Sequence, residues 1–310
     1  MEMEEGGGFG FQWHITDRCP RKCIHCYQSD SVGVELPVAA LMDIADGIMS
    51  AVRGSVTINV TGGEPLIYQY NGNGNNRAVF ELLQHLSTFD NLGELNIITS
   101  TYSMDRDVIR GLKKLPELDY IKVSLESRDS HINDMIRGVG HYKTALENIR
   151  ELIDTGLRVI IMATLSRLNY QSVSGLCELA EELGASGVIF ERFVPLGRGA
   201  EMSDCVLMPS HWQEVLAAIA VITNVSVDDL RPYKAFWVYG DSVSGAPCCL
   251  GPSSMALMPD GTVYPCRRVP VPVGKLPKDS MEHILEALEK YSSAPQRCFD
   301  FGVDFNILTA

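Results

Sequence analysis

The sequence predicts an α/β fold: a partial (βα)6 TIM-like barrel that runs into a small C-terminal extension of a β-hairpin plus a helix. Three observations carry this. Over roughly the first 200 residues, apolar runs of strand length alternate with segments of helical period, which is the pattern of parallel βα units. The runs are near-continuously apolar, as strands covered on both faces are. Six such runs are present rather than the eight that close a full barrel, so the sheet is expected to stay open.

The elements follow in order. Residues 9–16 (FGFQWHIT) read as the first strand, and residues 36–52 have helical spacing that ends near Gly54. The second strand, 55–61 (SVTINVT), runs straight into Gly62-Gly63. A helix over 77–86 precedes strand 94–100 (ELNIITS), and a helix over 105–115 precedes strand 120–125 (YIKVSL). The helix over 142–154 is closed by Gly156 and leads to strand 158–165 (RVIIMATL). The helix over 171–183, with Gly184 after it, leads to strand 187–193 (GVIFERF). The pattern changes after Arg198-Gly199. Residues 211–223 read as a helix. Residues 254–258 and 262–264 flank Pro259-Asp260-Gly261 as a hairpin with an Asp-Gly turn, and 280–291 is a final helix. The expected division is a barrel over 1–200, a linker or helical bridge over 201–244, and a tail domain over 245–310. Tyr233, Phe236 and Trp237 read as core packing, and 71–76 (NGNGNN) as a flexible loop.

Of the 310 residues, 45% are hydrophobic and 21% charged, which excludes a disordered or fibrous chain. The net charge of −13 argues against a nucleic-acid partner. No run of ~18 apolar residues occurs, so no membrane span is read. Residues 1–8 are acidic and glycine-rich, unlike a signal peptide, and the expected location is cytoplasmic. Nine cysteines, at 19, 23, 26, 177, 205, 248, 249, 266 and 298, then read as metal ligands or reactive thiols rather than as a disulfide framework.

Cys19-Pro-Arg-Lys-Cys23-Ile-His-Cys26 places C-x3-C-x2-C just after the first strand, at the end of the sheet where chemistry is expected. Three thiolates can bind a [4Fe–4S] cubane and leave one iron open. Zinc is the alternative, with His14, His25 or a distant Cys as fourth ligand. Inert buried thiols are the third reading.

This spacing, in this position of a six-unit barrel, resembles the radical S-adenosylmethionine (SAM) superfamily. Thr61-Gly62-Gly63-Glu64-Pro65, after the second strand, resembles that family's glycine-glycine-glutamate-proline motif. Paired glycines let backbone approach a ligand closely, and the Glu64 carboxylate can accept from an ammonium group, which in the family belongs to the methionine part of SAM. Ser100 and Ser124, at the ends of the third and fourth strands, match positions that contact the SAM ribose and carboxylate. Ser124-Leu125-Glu126, with Asp134 and Arg137-Gly138 beyond, resembles the family's serine–leucine–acid segment. Arg192 and Arg198 are further candidates to face a carboxylate or the substrate. One departure is His25 where the family often has an aromatic before the last cysteine, with Tyr27 just after it. The resemblance implies that a reduced cluster passes an electron to SAM. Methionine and a 5′-deoxyadenosyl radical result, and the radical takes a hydrogen atom from the substrate.

The tail is similar to the auxiliary-cluster extensions called SPASM or, when short, twitch. Cys249, the hairpin, Cys266 within G-x4-C, and Cys298 imply one auxiliary [4Fe–4S] cluster. Cys248 stands as the other possible ligand. Cys177 reads as core. Cys205 and Cys248 are candidate hydrogen-atom donors to a substrate radical. Such tails imply a radical SAM enzyme acting on a ribosomally made peptide by crosslinking, epimerisation or oxidation, fed by an electron donor such as a flavodoxin or ferredoxin. A radical SAM dehydrogenase of a small molecule and a non-catalytic iron–sulfur or zinc protein are the alternatives. An RNA-modifying enzyme is disfavoured by charge. No separate peptide-recognition domain fits before Phe9, which counts against leader-peptide binding by this chain.

Overall fold

The computed structural model describes residues 8–29, 33–68 and 77–292. Its centre is six parallel strands in sequence order: β1 (Phe9–His14), β2 (Val56–Thr61), β3 (Leu92–Thr99), β4 (Leu118–Ser124), β5 (Val159–Leu165) and β6 (Val188–Arg192). The helices between them are α1 (Val38–Ala51), α2 (Arg77–Leu86), α3 (Arg106–Leu112), α4 (Ser130–Arg137), α5 (His141–Asp154) and α6 (Val173–Leu183). The apolar periods explain both classes. β1 buries Phe9, Phe11 and Trp13 at period two, while α1 buries Leu41, Ile44, Ala45 and Ile48 at the spacing of one helical face. β5 is buried along almost its whole length, as the middle of a doubly covered sheet requires.

The fourth unit carries a helix that the apolar pattern does not announce. α4 is short, its apolar face is the single turn Ile132, Met135 and Ile136, and its clearer signal is a cap. The Asp129 carboxylate accepts from the His131 and Ile132 amides at 2.7 and 3.3 Å.

Beyond β6 come α7 (Pro209–Thr223), α8 (Val227–Leu230), β7 (Ala235–Tyr239), β8 (Ser242–Ala246), β9 (Ser254–Leu257), β10 (Thr262–Tyr264), β11 (Gly274–Lys275) and α9 (Met281–Glu289). The expected hairpin and final helix are β9–β10 and α9. The hairpin β7–β8 was not expected: it pairs antiparallel with β6, and Phe236 packs flat on Trp212. One sheet results, in the order β11-β10-β9-β1-β2-β3-β4-β5-β6-β7-β8. β9 joins β1 in parallel, from Gly10 opposite Ser254 to Trp13 opposite Leu257. The tail hairpin therefore extends the barrel's own sheet, and β1 is paired with β2 and β9 rather than with β6. The Asp-Gly turn is strict: Gly261 has φ +86°, and a Cβ there would overlap the Leu276 carbonyl oxygen. Among the described residues, no single helix is long and apolar enough to cross a membrane.

Gly47 supplies a test of the helix assignment. It lies in the interior of α1, and a Cβ at this position would meet nothing within 4 Å. Gly47→Ala is expected to stabilise the protein by about 1 kcal/mol, read by denaturant unfolding. A loss of stability would contradict an open helical site.

Candidate functional site

The C-terminal ends of β2 to β6 deliver Thr61, Thr99, Ser124, Thr164 and Arg192 to one cleft, which holds about 1020 Å³ of empty space including its mouth. The loop after β1 brings Cys19, Cys23 and Cys26 to the same cleft, and the turns after β2 and β3 bring Gly62, Gly63 and Ser100. Two residues from the far end of the chain, Arg267 and Arg268, also line it.

The cysteine loop is pinned on two sides. The Gly63 amide donates to the Thr16 carbonyl and the Glu64 amide to the Arg18 carbonyl, both at 2.8 Å. On the other side, the Ile24 amide donates to the Ile136 carbonyl at 3.0 Å, and the Arg137 guanidinium lies 3.9 Å from the Cys23 sulfur. Burial pushes the Cys19 thiol up to about 12, with Glu64 and the other two cysteines adding to the rise. Burial also raises Cys26, and Cys23 adds to it. Without a cation to bind, these thiols are held neutral, and an iron core is the kind of charge that ionises them. Among the described residues, no three His, Cys, Asp or Glu side chains converge on a single-ion site. A zinc ion would draw its thiolates to roughly 3.8 Å from one another, given Zn–S bonds of about 2.3 Å. Ligands on separate corners of a cubane stand farther apart. The donor set of three clustered thiols on one loop fits the cubane.

The glycine pair lines the cleft and also has a packing role of its own. A Cβ on Gly62 would lie 2.5 Å from the Thr16 carbonyl oxygen, and one on Gly63 would overlap that of Arg18. The close approach is to the chain that opens the cysteine loop. Gly63→Ala is expected to cost about 1–3 kcal/mol and to lower iron retention, measured by thermal unfolding and iron assay.

Glu64 differs from the glycines. Its carboxylate is fully buried and is not among the cleft-lining groups. It accepts from the Thr99 hydroxyl at 2.7 Å, the Ser100 amide at 2.8 Å, the Ser100 hydroxyl at 2.6 Å and the Leu66 amide at 3.3 Å. Ser100 thereby has its proton committed and its lone pairs available to a donor in the cleft. Glu64 thus fixes the orientation of Ser100, which lines the cleft.

Glu126 forms a second buried centre, one the sequence marked only as part of a segment. Burial would raise its carboxyl, yet Arg137 and then His25 hold it down to about 2. Arg137 Nε donates at 2.7 Å and Nη2 lies at 2.5 Å, His25 Nε2 is 3.4 Å away, and the Thr164 amide donates at 2.8 Å. His25, in the position where an aromatic is common in the family, is thus part of this ion cluster. Asp134 accepts from the Gly140 and Tyr142 amides at 2.7 Å and shapes the turn between α4 and α5. Tyr27 lies next to His14, 3.0 Å from its hydroxyl to Nδ1, under the Arg267 guanidinium.

Two buried histidines give a pH dependence. Burial and then Arg267 lower His14 to about 3, and burial and then Arg137 lower His141 to about 3. The unfolded chain, with imidazoles near 6.5, binds protons between pH 6.5 and 3 that the fold refuses. Stability is therefore full above about 6.5 and drains as pH falls through that window. Tm is expected to drop between pH 7 and pH 5, and less steeply in His14→Gln and in His141→Gln.

In the tail, Cys266 and Cys249 flank the β9–β10 hairpin. Burial raises the Cys266 thiol, Arg268 and Lys234 pull it down, and Cys249 is near enough to act on it. Lys234 Nζ donates to the Cys249 sulfur at 3.2 Å, a cation that nothing in the local sequence connects with the tail. Cys298 lies outside the described residues. Cys248 is half-buried between β8 and β9. Neither Cys248 nor Cys205 lines the cleft; Cys205 ends the 3-10 segment Gly197–Cys205, and its carbonyl accepts from the Arg167 amide. Arg198 donates to the Cys23 carbonyl at 3.3 Å and so also holds the cysteine loop. Arg192 lines the cleft with its guanidinium 4.9 Å from the Trp212 ring centre.

Comparison with known proteins agrees with this geometry. The radical SAM superfamily profile matches residues 13–180. The antilisterial bacteriocin subtilosin biosynthesis protein AlbA of Bacillus subtilis (strain 168) is 23% identical over 280 residues, 89% of this chain and 59% of that protein. The Fe-coproporphyrin III synthase of Methanosarcina barkeri is 28% identical over 201 residues, 61% of this chain and 45% of that protein. The chain thus spans about half the length of these relatives. Streptococcus suis SuiB bound to S-adenosylmethionine matches with TM-score 0.67 and 15% identity, over 94% of this chain and 67% of that one. The same protein bound to the precursor peptide SuiA matches with TM-score 0.62 and 15% identity, over 93% and 65%. At these identities the structural likeness speaks to the fold.

Proposed function

This chain belongs to the radical SAM superfamily, and from that premise we propose that it cleaves S-adenosylmethionine reductively to take a hydrogen atom from a peptide substrate. The observation that carries the reading is the meeting, in one cleft, of Cys19, Cys23 and Cys26 with Gly62, Gly63, Ser100 and Ser124. Cys19, Cys23 and Cys26 would hold a [4Fe–4S] cluster with one open iron. When bound, that cluster supplies one electron to SAM, giving methionine and a 5′-deoxyadenosyl radical. The chain's own part is to bind, orient and exclude water. Ser100, fixed by Glu64, and Ser124 offer oxygens to the polar end of SAM. The backbone of Gly62-Gly63 lies alongside. Arg137 sets positive charge against the Cys23 sulfur and is itself held by Glu126. Ile98, Met162 and Phe193 give the cleft apolar walls that keep water from a radical.

The tail would hold one auxiliary [4Fe–4S] cluster through Cys249 and Cys266, with Cys298 or Cys248 completing the set. A small flavodoxin or ferredoxin would deliver the electrons. Support for a peptide comes from the named roles of AlbA, in bacteriocin biosynthesis, and of SuiB, with its precursor peptide. The Fe-coproporphyrin III synthase favours a second reading, a small-molecule substrate. Deuterium transfer into 5′-deoxyadenosine separates the two: a deuterated candidate peptide is expected to label the product, and label from a porphyrin but not from peptides would overturn the peptide assignment.

A further inference from the structure

The cleft has a charge surplus that the proposed chemistry does not use. Arg21, Arg137, Arg192, Arg267 and Arg268 all line it, in a chain whose net charge is −13. Among the described residues, two carboxylates pair with this group: Glu126 with Arg137, and Glu191 with Arg267 and, at 3.6 Å, Arg268. A cubane with three thiolates and the sulfonium of SAM nearly cancel in formal charge, so loading the site leaves the surplus in place.

Arg268 is where the surplus is available. The side chain comes from the segment after Cys266, reaches across to β6, and is 8% exposed. Its Nη2 donates to the Arg192 carbonyl at 3.2 Å, while its buried Nη1 has no hydrogen-bond partner among the described residues. A buried guanidinium nitrogen left without an acceptor costs free energy that a bound anion would recover. We propose that Arg268 Nη1 binds a carboxylate of the substrate and seats it beside the SAM pocket. The inference rests on the reading of this cleft as the place where substrate meets SAM. The Nη1 of Arg268 is a single donor site, which suits one carboxylate oxygen; phosphate is the competing anion that the test separates. The neighbouring guanidinium of Arg267 is already engaged by Glu191 and stands over Tyr27.

The test uses anaerobically cluster-loaded protein with SAM, at constant ionic strength. The thermal midpoint is followed against three probes. N-acetylglycine presents a terminal carboxylate, N-acetyl-aspartic acid α-amide a side-chain carboxylate, and N-acetylglycinamide neither; inorganic phosphate is a fourth arm. One or both carboxylates are expected to raise Tm saturably by about 2–4 °C, and the neutral amide to leave it unchanged. Whichever carboxylate acts identifies a chain terminus or an acidic side chain as the group bound. Arg268→Met is expected to abolish the rise, and Arg268→Lys to weaken it at least tenfold in probe concentration. Near-ultraviolet circular dichroism checks that both variants fold; if Arg268→Met does not, the Lys variant decides. A rise with the neutral amide, a stronger rise with phosphate, or an undiminished rise in a folded Arg268 variant overturns the proposal. Iron content and 5′-deoxyadenosine from the same preparation report on the radical reading separately.

Discussion

Cys23→Ala is expected to strip about four irons from the anaerobically loaded protein and to bleach the matching share of its visible absorbance. Cys23 is the buried member of the triad, 8% exposed, and its loop is docked by Ile24 on Ile136 and by Arg137 on the sulfur. Three thiolates are the fewest that hold a cubane with one open corner, so losing one takes away the site rather than weakening it. Cys19→Ala and Cys26→Ala are expected to do the same, since both thiols line the same cleft. Cys177→Ala is the matched control. It lies in α6, where burial pushes its thiol up to about 12 and Glu181 and Glu178 add to the rise. Its removal is expected to leave iron unchanged. Iron and sulfide assays on the four variants check the set, and equal iron in all of them would refute the assignment of the ligands.

Glu126→Ala is expected to cost about 3–5 kcal/mol, because it leaves a buried guanidinium without its counter-ion. The side chain is fully buried, and Arg137 beside it is 11% exposed. The Thr164 amide loses its acceptor as well. The double change Glu126→Leu with Arg137→Met removes both charges and is expected to recover part of that loss, while iron loading stays low because Cys23 has lost its neighbouring cation. Urea unfolding reads the first effect and iron assay the second. If the double variant loads iron like the wild type, Arg137 is a strut of the fold and nothing more.

Most of the barrel is legible because its strands are apolar runs and its helices have a clear period. α4 escapes such a reading because it is only eight residues long, so Ile132, Met135 and Ile136 give its apolar face a single turn of the helical period, and the clearer evidence is one capping aspartate. β7 and β8 escape it for another reason. Their aromatics, Phe236 and Trp237, read equally well as core packing, and pairing with β6 is set by tertiary contact. The site divides in the same way. Cys19, Cys23 and Cys26 are neighbours in sequence, so their spacing reveals them. Arg267 and Arg268 reach the cleft only because β9 adds to β1 and the following turn crosses to β6, and nothing in their local sequence announces that. Glu64 is legible as a residue but its protein contacts are not: the motif marks a carboxylate expected to meet an ammonium group, and the fold adds that it accepts from Thr99 and Ser100.

The three-cysteine cleft is expected to cleave S-adenosylmethionine with an electron from a bound cluster. The measurement is product analysis after anaerobic reconstitution with iron and sulfide, reduction with dithionite and addition of SAM. The wild-type protein is expected to form 5′-deoxyadenosine and methionine in equal amounts, with about eight irons bound if the auxiliary cluster is present. The Cys19, Cys23 and Cys26 triple alanine variant is expected to form neither product and to hold about four irons. Iron bound at the triad with no 5′-deoxyadenosine, or zinc in its place, would rule out radical chemistry at this cleft and leave a metal-binding scaffold.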